Sequence, residues 1–169
     1  MRNIFVDGYN VINSWPELNK IKDYSFEAAR TKLIEMMQDY AAYRGYKIFI
    51  VFDAHMVKGS IEKKEKVDNV IIVFTKEGET ADIFIEKYVN LIGRKAEVCV
   101  VTSDSLEQQV TFQRGATRMS SLEFYNEVYD TQNRIRSKTK KNISINREFL
   151  EERIDKDILE KLDKIRKSR

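Results

Sequence analysis

The sequence predicts an α/β protein of three layers, in which a mostly parallel central sheet lies between helices. Short apolar runs rich in β-branched and aromatic residues alternate along the chain with segments whose apolar residues recur at helical spacing. Several of these short runs end abruptly in an acidic residue, which is typical of buried strands that carry a side chain to the edge of a sheet. With 169 residues, the chain has the length of one domain.

The first strand is predicted close to the N-terminus, where the apolar run 4–6 ends abruptly in Asp7. A second continuous β-rich run, 46–52, ends in the same way at Asp53. Because the carboxyl ends of parallel strands meet at one edge of a sheet, we expect both carboxylates to lie in one crevice.

The connection between these two strands is predicted to contain one long helix. Apolar residues recur at helical spacing from Phe26 to Ala41, Ser25 is a favourable N-cap, and Gly45 can end the helix. The preceding segment 13–25 holds the only proline and the only tryptophan of the chain, and we interpret it as a loop.

Two further strands are predicted at 70–74 and 97–102, on either side of a helix that Thr80 can cap and Gly93 can end. This helix places Asp82 in its first turn, where the helix dipole favours a negative charge. The lysine-rich segment 55–67 is interpreted as a mobile loop.

The chain after residue 102 is expected to begin with a short helix at Ser103 and Asp104, followed by an edge strand at 116–119. Ser120 and Glu123 form a capping box for a helix that extends to about residue 134. Residues 1–140 are thus predicted to form the α/β domain. Residues 141–169 are predicted to be a basic linker and a C-terminal helix that packs its apolar stripe on the same domain.

Composition limits the classes of protein that this chain can belong to. No run approaches the ~20 apolar residues of a membrane span, and no signal peptide is recognisable at the start, so we expect a cytoplasmic protein without a membrane partner. The single cysteine, Cys99, lies inside an apolar run, which indicates a buried core residue and gives no sign of redox chemistry.

A cluster of acids in one crevice repels itself unless a cation binds there, so the pattern favours a metal site. Each acid alone is also a common cap or turn residue, and only their coincidence favours a shared function. Hard oxygen ligands suit Mg²⁺ or Mn²⁺, which usually bind together with phosphates. The acids concerned are Asp7, Asp53, Asp82 and Asp104.

Two features that the sequence lacks, a P-loop and a second histidine, limit the reactions that this protein can catalyse. The chain has no Gly-rich loop of the P-loop type, which argues against a kinase or GTPase. Its lone histidine, His55, supplies at most one proton-transferring group near neutrality, which argues against a metal-free ribonuclease and favours a water molecule activated by a metal ion.

Five short motifs, taken together and in this order, resemble the YacP-type branch of the NYN-domain ribonucleases, over roughly residues 1 to 140. They are Asp7-Gly8-Tyr9-Asn10-Val11-Ile12, Val51-Phe52-Asp53-Ala54, Glu79-Thr80-Ala81-Asp82, Val101-Thr102-Ser103-Asp104 and Arg114-Gly115-Ala116. The resemblance implies a PIN-like, Rossmann-like nuclease domain that depends on a divalent metal ion.

The resemblance also implies roles for individual residues. It implies that Asp7, Asp82 and Asp104 are catalytic metal-site acids and that Asn10 positions the substrate or a metal-bound water. Asp53 matches the end of the family's second strand and is a further candidate metal ligand. Glu79 and Glu86 are additional acids that we consider as alternative ligands. The implied activity is endonucleolytic cleavage of single-stranded RNA, in particular mRNA on the ribosome during mRNA decay.

A run of basic residues without an acid between 131 and 147 supports an RNA partner independently, and it is our candidate for contact with RNA and rRNA. Its candidate residues are Arg134, Arg136, Lys138, Lys140 and Lys141. The alternative interpretation of this run is a solvated linker. At the level of function, the alternatives are a non-catalytic RNA- or ribosome-binding module on the same fold and a small-molecule phosphohydrolase.

Overall fold

The structure is a computed structural model that describes residues 1–54, 61–103 and 116–167. Its strands are β1 (Asn3–Asp7), β2 (Lys47–Phe52), β3 (Lys63–Val67), β4 (Val70–Phe74), β5 (Val98–Val101) and β6 (Thr117–Met119). Its helices are α1 (Gly8–Ser14), α2 (Pro16–Tyr24), α3 (Phe26–Arg44), α4 (Ala81–Ile92) and α5 (Ser121–Lys167). The predicted helix at Ser103 and Asp104 extends beyond the described residues.

The six strands form one sheet in the order β3-β4-β2-β1-β5-β6. Every neighbouring pair is parallel except β3 and β4, which are antiparallel. β2, β4 and β3 lie on one side of β1, and β5 and β6 lie on the other. The chain therefore crosses from one side of β1 to the other in the connection between β4 and β5. The predicted α/β fold with a mostly parallel sheet is confirmed.

Helices cover both faces of the sheet, because successive side chains of each buried strand point to opposite sides. Ile4 and Val6 of β1 belong to a core cluster that also contains buried residues of α1, α2, α3 and the beginning of α5. Phe5, which lies between them, belongs to a second cluster with residues of α4. These two cores make the three layers that the sequence predicts.

The capping residues that the sequence predicts for α3 are confirmed. The Ser25 hydroxyl accepts a hydrogen bond from the backbone N–H of Ala28 at 3.2 Å, and Gly45 ends the helix with φ of 70°. A residue with a side chain seldom adopts this left-handed conformation, which is why a glycine ends α3.

The predicted loop at 13–25 is wrong, because most of this segment forms the end of α1 and the whole of α2. Pro16 is the first residue of α2, where a proline costs no hydrogen bond because the first N–H groups of a helix have no partner within it. The proline therefore starts a helix here and does not mark a loop.

The predicted mobile loop at 55–67 is wrong for its last part, since residues 63–67 form β3. The connection to β4 is only Asp68 and Asn69, and Asp68 has φ of 54°, a conformation that aspartate tolerates in turns. β3 lies at the edge of the sheet, where exposed lysines protect the strand from pairing with another chain. Residues 55–60, with His55, lie outside the described residues.

The helix predicted from Ser121 to about residue 134 is longer in the structure, because α5 runs without interruption from Ser121 to Lys167. The basic linker predicted within 141–169, and the alternative interpretation of the basic run between 131 and 147 as a linker, are therefore wrong for their secondary structure. No glycine or proline occurs between Ser121 and Lys167, and lysine and arginine are good helix formers, so nothing local ends the helix.

The chain divides into two units, Met1–Thr131 and Gln132–Arg169. The first contains the sheet, α1 to α4 and the beginning of α5, and the second contains the remainder of α5. The packing of the C-terminal apolar stripe on the domain stays a prediction. Among the helices of the described segments, none is both long and apolar enough to cross a membrane.

Candidate active site

A cavity of about 360 Å³ opens at the carboxyl edge of the sheet. Three of the four predicted acids line it, and they come from three different elements: the end of β1, the residue after β2 and the first turn of α4. The residues that line the cavity are Asp7, Tyr9, Asn10, Asn13, Asp53, Thr80, Ala81 and Asp82. The sequence therefore predicted correctly that Asp7, Asp53 and Asp82 share one space.

Asp7 is both the last residue of β1 and the N-cap of α1. Its Oδ1 accepts a hydrogen bond from the backbone N–H of Asn10 at 3.3 Å. Gly8 follows because the chain passes very close to β2 at this point: a Cβ atom at Gly8 would lie 2.4 Å from the Phe52 ring. The Asp-Gly sequence thus allows α1 to begin directly at the end of the strand.

Burial raises the pKa of the Asp7 carboxyl above its ordinary value, and the neighbouring Asp53 carboxylate raises it further. The backbone N–H groups of Asn10 and Tyr9 act in the opposite direction by stabilising the charged form. A carboxylate that is desolvated and close to another one gains from a nearby positive charge, so this part of the site favours a bound cation.

The segment that follows β2 and the segment that precedes α4 are joined by one buried threonine, Thr75. The Thr75 hydroxyl accepts a hydrogen bond from the backbone N–H of Ala54 at 3.0 Å and donates one to the backbone carbonyl of Glu79 at 2.7 Å. These bonds tie the residues that follow β2 to the residues that precede α4. They place Asp53 and Asp82 at the same opening.

Thr80 caps α4, as predicted, because its hydroxyl accepts a hydrogen bond from the backbone N–H of Ile83 at 3.2 Å. Asp82 consequently lies in the first turn of α4. The two alternative ligands, Glu79 and Glu86, do not line the cavity. Glu79 is buried and forms an ion pair with Lys87 at 3.2 Å, and Glu86 is exposed.

The carboxamide of Asn10 is held by two serines from distant parts of the chain. Its Oδ1 accepts hydrogen bonds from the Ser121 hydroxyl at 2.7 Å and from the Ser103 hydroxyl at 2.9 Å. We did not predict a site role for either serine. Ser103 was part of a recognised motif, whereas Ser121 has only the local signature of a residue that begins a helix.

The two aromatic residues near the site differ in their environment. Trp15 is fully buried, and its ring packs against Phe124 and Tyr125. Tyr9 is half-buried, lines the cavity and accepts a hydrogen bond from Arg30 Nη1 at 3.4 Å. Of the two, only Tyr9 is placed where a substrate can reach it.

Within the parts of the chain that the structure describes, no three His, Cys, Asp or Glu side chains form a ready metal-binding group. Asp104, the fourth predicted acid, lies outside the described residues. The donors that line the cavity are hard oxygen atoms, and Mg²⁺ keeps several water ligands when one or two carboxylates bind it. Asp7, Asp53 and Asp82 therefore fit a divalent cation of this kind, and their assignment as ligands stays a prediction.

The five basic residues that we predicted for RNA contact lie on α5. All of them are exposed to solvent. They are carried by a helix, so their spacing around its axis decides which of them can contact one surface together.

Comparisons with known proteins agree with this architecture. The family model of the YacP-like NYN domain matches residues 4–167. The protein named "Uncharacterized protein YacP" from Bacillus subtilis (strain 168) is 45% identical over 139 residues, which cover 82% of this chain and 81% of that protein.

Two solved structures are also similar to this chain. The crystal structure of Rae1 (YacP) from Bacillus subtilis matches with a TM-score of 0.74 and 39% identity, over 99% of this chain and 95% of that one. A crystal structure of a point mutant of Rae1 matches with the same TM-score and identity over 85% of each chain.

Proposed function

This chain belongs to the YacP-like NYN domain family, and on that basis we propose that it is a divalent-metal-dependent endoribonuclease. The fold is PIN-like and matches that of Rae1, and membership of the NYN domain family is consistent with a nuclease-type hydrolase. The observation that carries the proposal is the cavity in which Asp7, Asp53 and Asp82 meet at the carboxyl edge of the parallel sheet.

We propose Mg²⁺ or Mn²⁺ as the cofactor and Asp7, Asp53, Asp82 and Asp104 as the residues that hold it. The raised pKa of Asp7, which comes from desolvation and from the neighbouring Asp53 carboxylate, supports this assignment, because a cation in the cavity stabilises the charged form of such a carboxyl. When bound, such an ion supplies Lewis acidity at the phosphate and lowers the pKa of a coordinated water.

The protein contributes placement and a partly desolvated environment. Asp7 is held by the cap hydrogen bond from Asn10, and Thr75 joins Ala54, the residue after Asp53, to Glu79, which precedes α4. Fixed groups of this kind are effective because they need no reorganisation as the reaction proceeds. Asn10 lines the same cavity and is in a position to contact the substrate.

We propose single-stranded RNA as the substrate and mRNA on the cytoplasmic ribosome as its setting. The exposed basic residues of α5 support contact with a polyanion, because clustered lysine and arginine release counterions from phosphates. Docking on a large RNA-rich particle would raise the effective concentration of the substrate without any reading of its sequence by the enzyme.

A circular single-stranded RNA tests this proposal, because only internal cleavage can linearise it. We expect linear products with Mg²⁺ or Mn²⁺ and none with EDTA. We expect Asp7→Asn to reduce the rate by about 100-fold or more, since it removes a ligand charge with little change in volume. The matched control is Asp23→Asn, which makes the same change at an exposed residue of α2 outside the cavity.

The outcomes separate the proposal from its alternative. Cleavage by Asp7→Asn at the wild-type rate would remove Asp7 from the mechanism. If the wild-type protein binds the circle and leaves it intact under all metal conditions, the protein is a non-catalytic RNA-binding module on the same fold.

A further inference from the structure

We infer that Ser121 and Ser103 are positioning residues that fix the carboxamide of Asn10, so that its N–H groups face the cavity and bind a phosphate oxygen of the RNA. The inference deepens the proposed function and rests on it for the identity of the ligand. Asn10 then binds the substrate as a hydrogen-bond donor, and its Oδ1 is not a metal ligand.

The hydrogen bonds at Asn10 determine which end of the amide is available. An amide oxygen has two lone pairs, and Oδ1 uses them for the hydroxyls of Ser121, at 2.7 Å, and Ser103, at 2.9 Å. The two N–H donors lie at the other end of the planar carboxamide. Since Asn10 lines the cavity, these donors are the polar groups that it offers to a ligand there.

Of the two serines, Ser121 is itself held in place. Ser121 is buried, and its backbone carbonyl accepts a hydrogen bond of 2.9 Å from the indole N–H of Trp15. Trp15 is fully buried and packs on Phe124. The backbone of Asn10 is fixed separately by its hydrogen bond to Asp7. A donor held at several points loses little entropy when it binds a ligand.

The composition of the cavity explains why a donor is needed. The residues that line it include three acids and, among the residues that the structure describes, no lysine or arginine. A phosphate diester that approaches Asp7, Asp53 and Asp82 meets negative charge, which a bound cation compensates only in part. A neutral amide donates hydrogen bonds to phosphate oxygens without competing for the cation.

The first test compares variants of Asn10 and of the serines by their kcat/KM on single-stranded RNA. Asn10→Asp keeps an oxygen for both serines and replaces the donors by negative charge, so we expect a loss of about 100-fold or more. If Asn10 were a metal ligand through Oδ1, the carboxylate would serve at least as well. Activity of Asn10→Asp at or above the wild-type value would therefore overturn the inference.

For the serines, we expect the double variant Ser103→Ala/Ser121→Ala to lose about tenfold or more, which corresponds to the usual worth of one or two hydrogen bonds. Ser103→Thr retains a hydroxyl for Asn10 at an exposed position, so we expect it to keep clearly more activity than the double alanine variant. The control is Ser14→Ala, whose hydroxyl donates a hydrogen bond to the carbonyl of Val11, and Ser14 is not among the described residues that line the cavity. Wild-type activity of the double serine variant would overturn the inference.

The second test needs neither a metal ion nor cleavage. The side-chain amide signal of Asn10 is identified in a ¹H–¹⁵N NMR spectrum by its disappearance in Asn10→Asp, and hexauridylate is added in EDTA. We expect the signal to shift in the wild-type protein and in Ser103→Thr, and not in the double serine variant. A melting curve of each variant shows whether it is folded.

The two proposals can fail separately. If hexauridylate shifts the Asn10 signal and the wild-type protein cleaves no RNA with any metal ion, the proposed function fails and the placement of the amide stands. If the wild-type protein cleaves RNA and the Asn10 signal does not move, the inference fails and the proposed function stands.

Discussion

Asp7 combines two roles in one side chain, since it caps α1 and lines the cavity. The cap hydrogen bond stabilises its charged form, whereas burial and the nearby Asp53 destabilise that form, and burial is the largest effect. A carboxylate in such surroundings lowers the stability of the protein at neutral pH. This is common where function requires the charge, because groups at functional sites are seldom placed for maximal stability.

We predict that Asp7→Asn raises the stability of the metal-free protein at neutral pH. Because the pKa of Asp7 is raised in the folded state, protonation of this group favours folding. Its stabilising contribution is complete below the unfolded pKa and is lost as the pH rises through the folded pKa. Asparagine keeps an acceptor oxygen for the cap and carries no charge.

The measurement is the free energy of unfolding by urea, in EDTA, from acidic to neutral pH. The wild-type protein should lose stability relative to Asp7→Asn as the pH rises, and the difference should level off above the folded pKa. In a chain of this size, 1 kcal/mol moves Tm by about 2–4 °C, so a melting curve also detects it. Curves for the two proteins that stay parallel at all pH values would contradict the prediction.

Among the elements, α5 changes the interpretation of the basic stretch. A linker would present all its charges to any partner, whereas a helix advances by about 100° per residue and separates them into faces. Arg134, Lys138 and Lys141 fall within an arc of about 60° on one face. Arg136 and Lys140 fall on the opposite face, so one flat polyanionic surface cannot contact both groups at once.

We therefore predict unequal effects of neutralising the two faces. Changing Arg134, Lys138 and Lys141 together to glutamine should weaken co-sedimentation with ribosomes and reduce the slope of its dependence on salt by about two to three. Changing Arg136 and Lys140 to glutamine should weaken co-sedimentation with ribosomes by less, per charge removed, than the triple change does.

A matched control removes three other exposed lysines: Lys20 on α2, Lys32 on α3 and Lys63 on β3. This control has the same change in net charge and should co-sediment like the wild type. If the triple variant of α5 and the control behave alike across a salt series, net charge alone governs binding and α5 is not the docking surface.

At the scale of the whole molecule, the order of the strands creates the site. β1 is flanked by β2 on one side and β5 on the other, and a crevice forms where the connections diverge in a parallel sheet. Residues at the carboxyl ends of β1, β2 and β5 all reach this region: Asp7 ends β1 and lines the cavity, Asp53 follows β2 and lines it too, and Ser103 follows β5 and bonds Asn10. The site exists only when the sheet is assembled.

The residues that line the cavity predict which chemical groups the ends of the cleaved RNA carry. Among the residues that the structure describes, those that line the cavity are acids, amides, a tyrosine, a threonine and an alanine, and the single histidine of the chain cannot form a pair to activate the RNA 2′-hydroxyl. We expect hydrolysis by water, which leaves 5′-phosphate and 3′-hydroxyl ends. A substrate with a single 2′-deoxy residue at the cleavage position should still be cut.

The ends are identified by ligation of the fragments and by comparison with an alkaline ladder, whose fragments carry cyclic phosphates. A 2′,3′-cyclic phosphate in the enzymatic products, or resistance of the 2′-deoxy substrate, would show that the 2′-hydroxyl is the nucleophile.

Features with local causes were predictable from the sequence. α3 could be placed because Ser25 and Gly45 act within one turn of their own helix ends, and β1 because its apolar run stops at Asp7. The fold class follows from the alternation of such segments. The meeting of Asp7, Asp53 and Asp82 was predictable as well, because parallel strands place their carboxyl ends at one edge.

Features that depend on distant residues were not predictable. Trp15, Pro16 and their neighbours suggest a loop until Trp15 is seen to bond the carbonyl of Ser121, 106 positions away. The bond from Ser121 to Asn10 spans 111 positions, and no local pattern marks either residue as its partner. A side-chain hydrogen bond needs two atoms within about 3 Å, and only the packing of α1 and α5 on the same face of the sheet brings these atoms together.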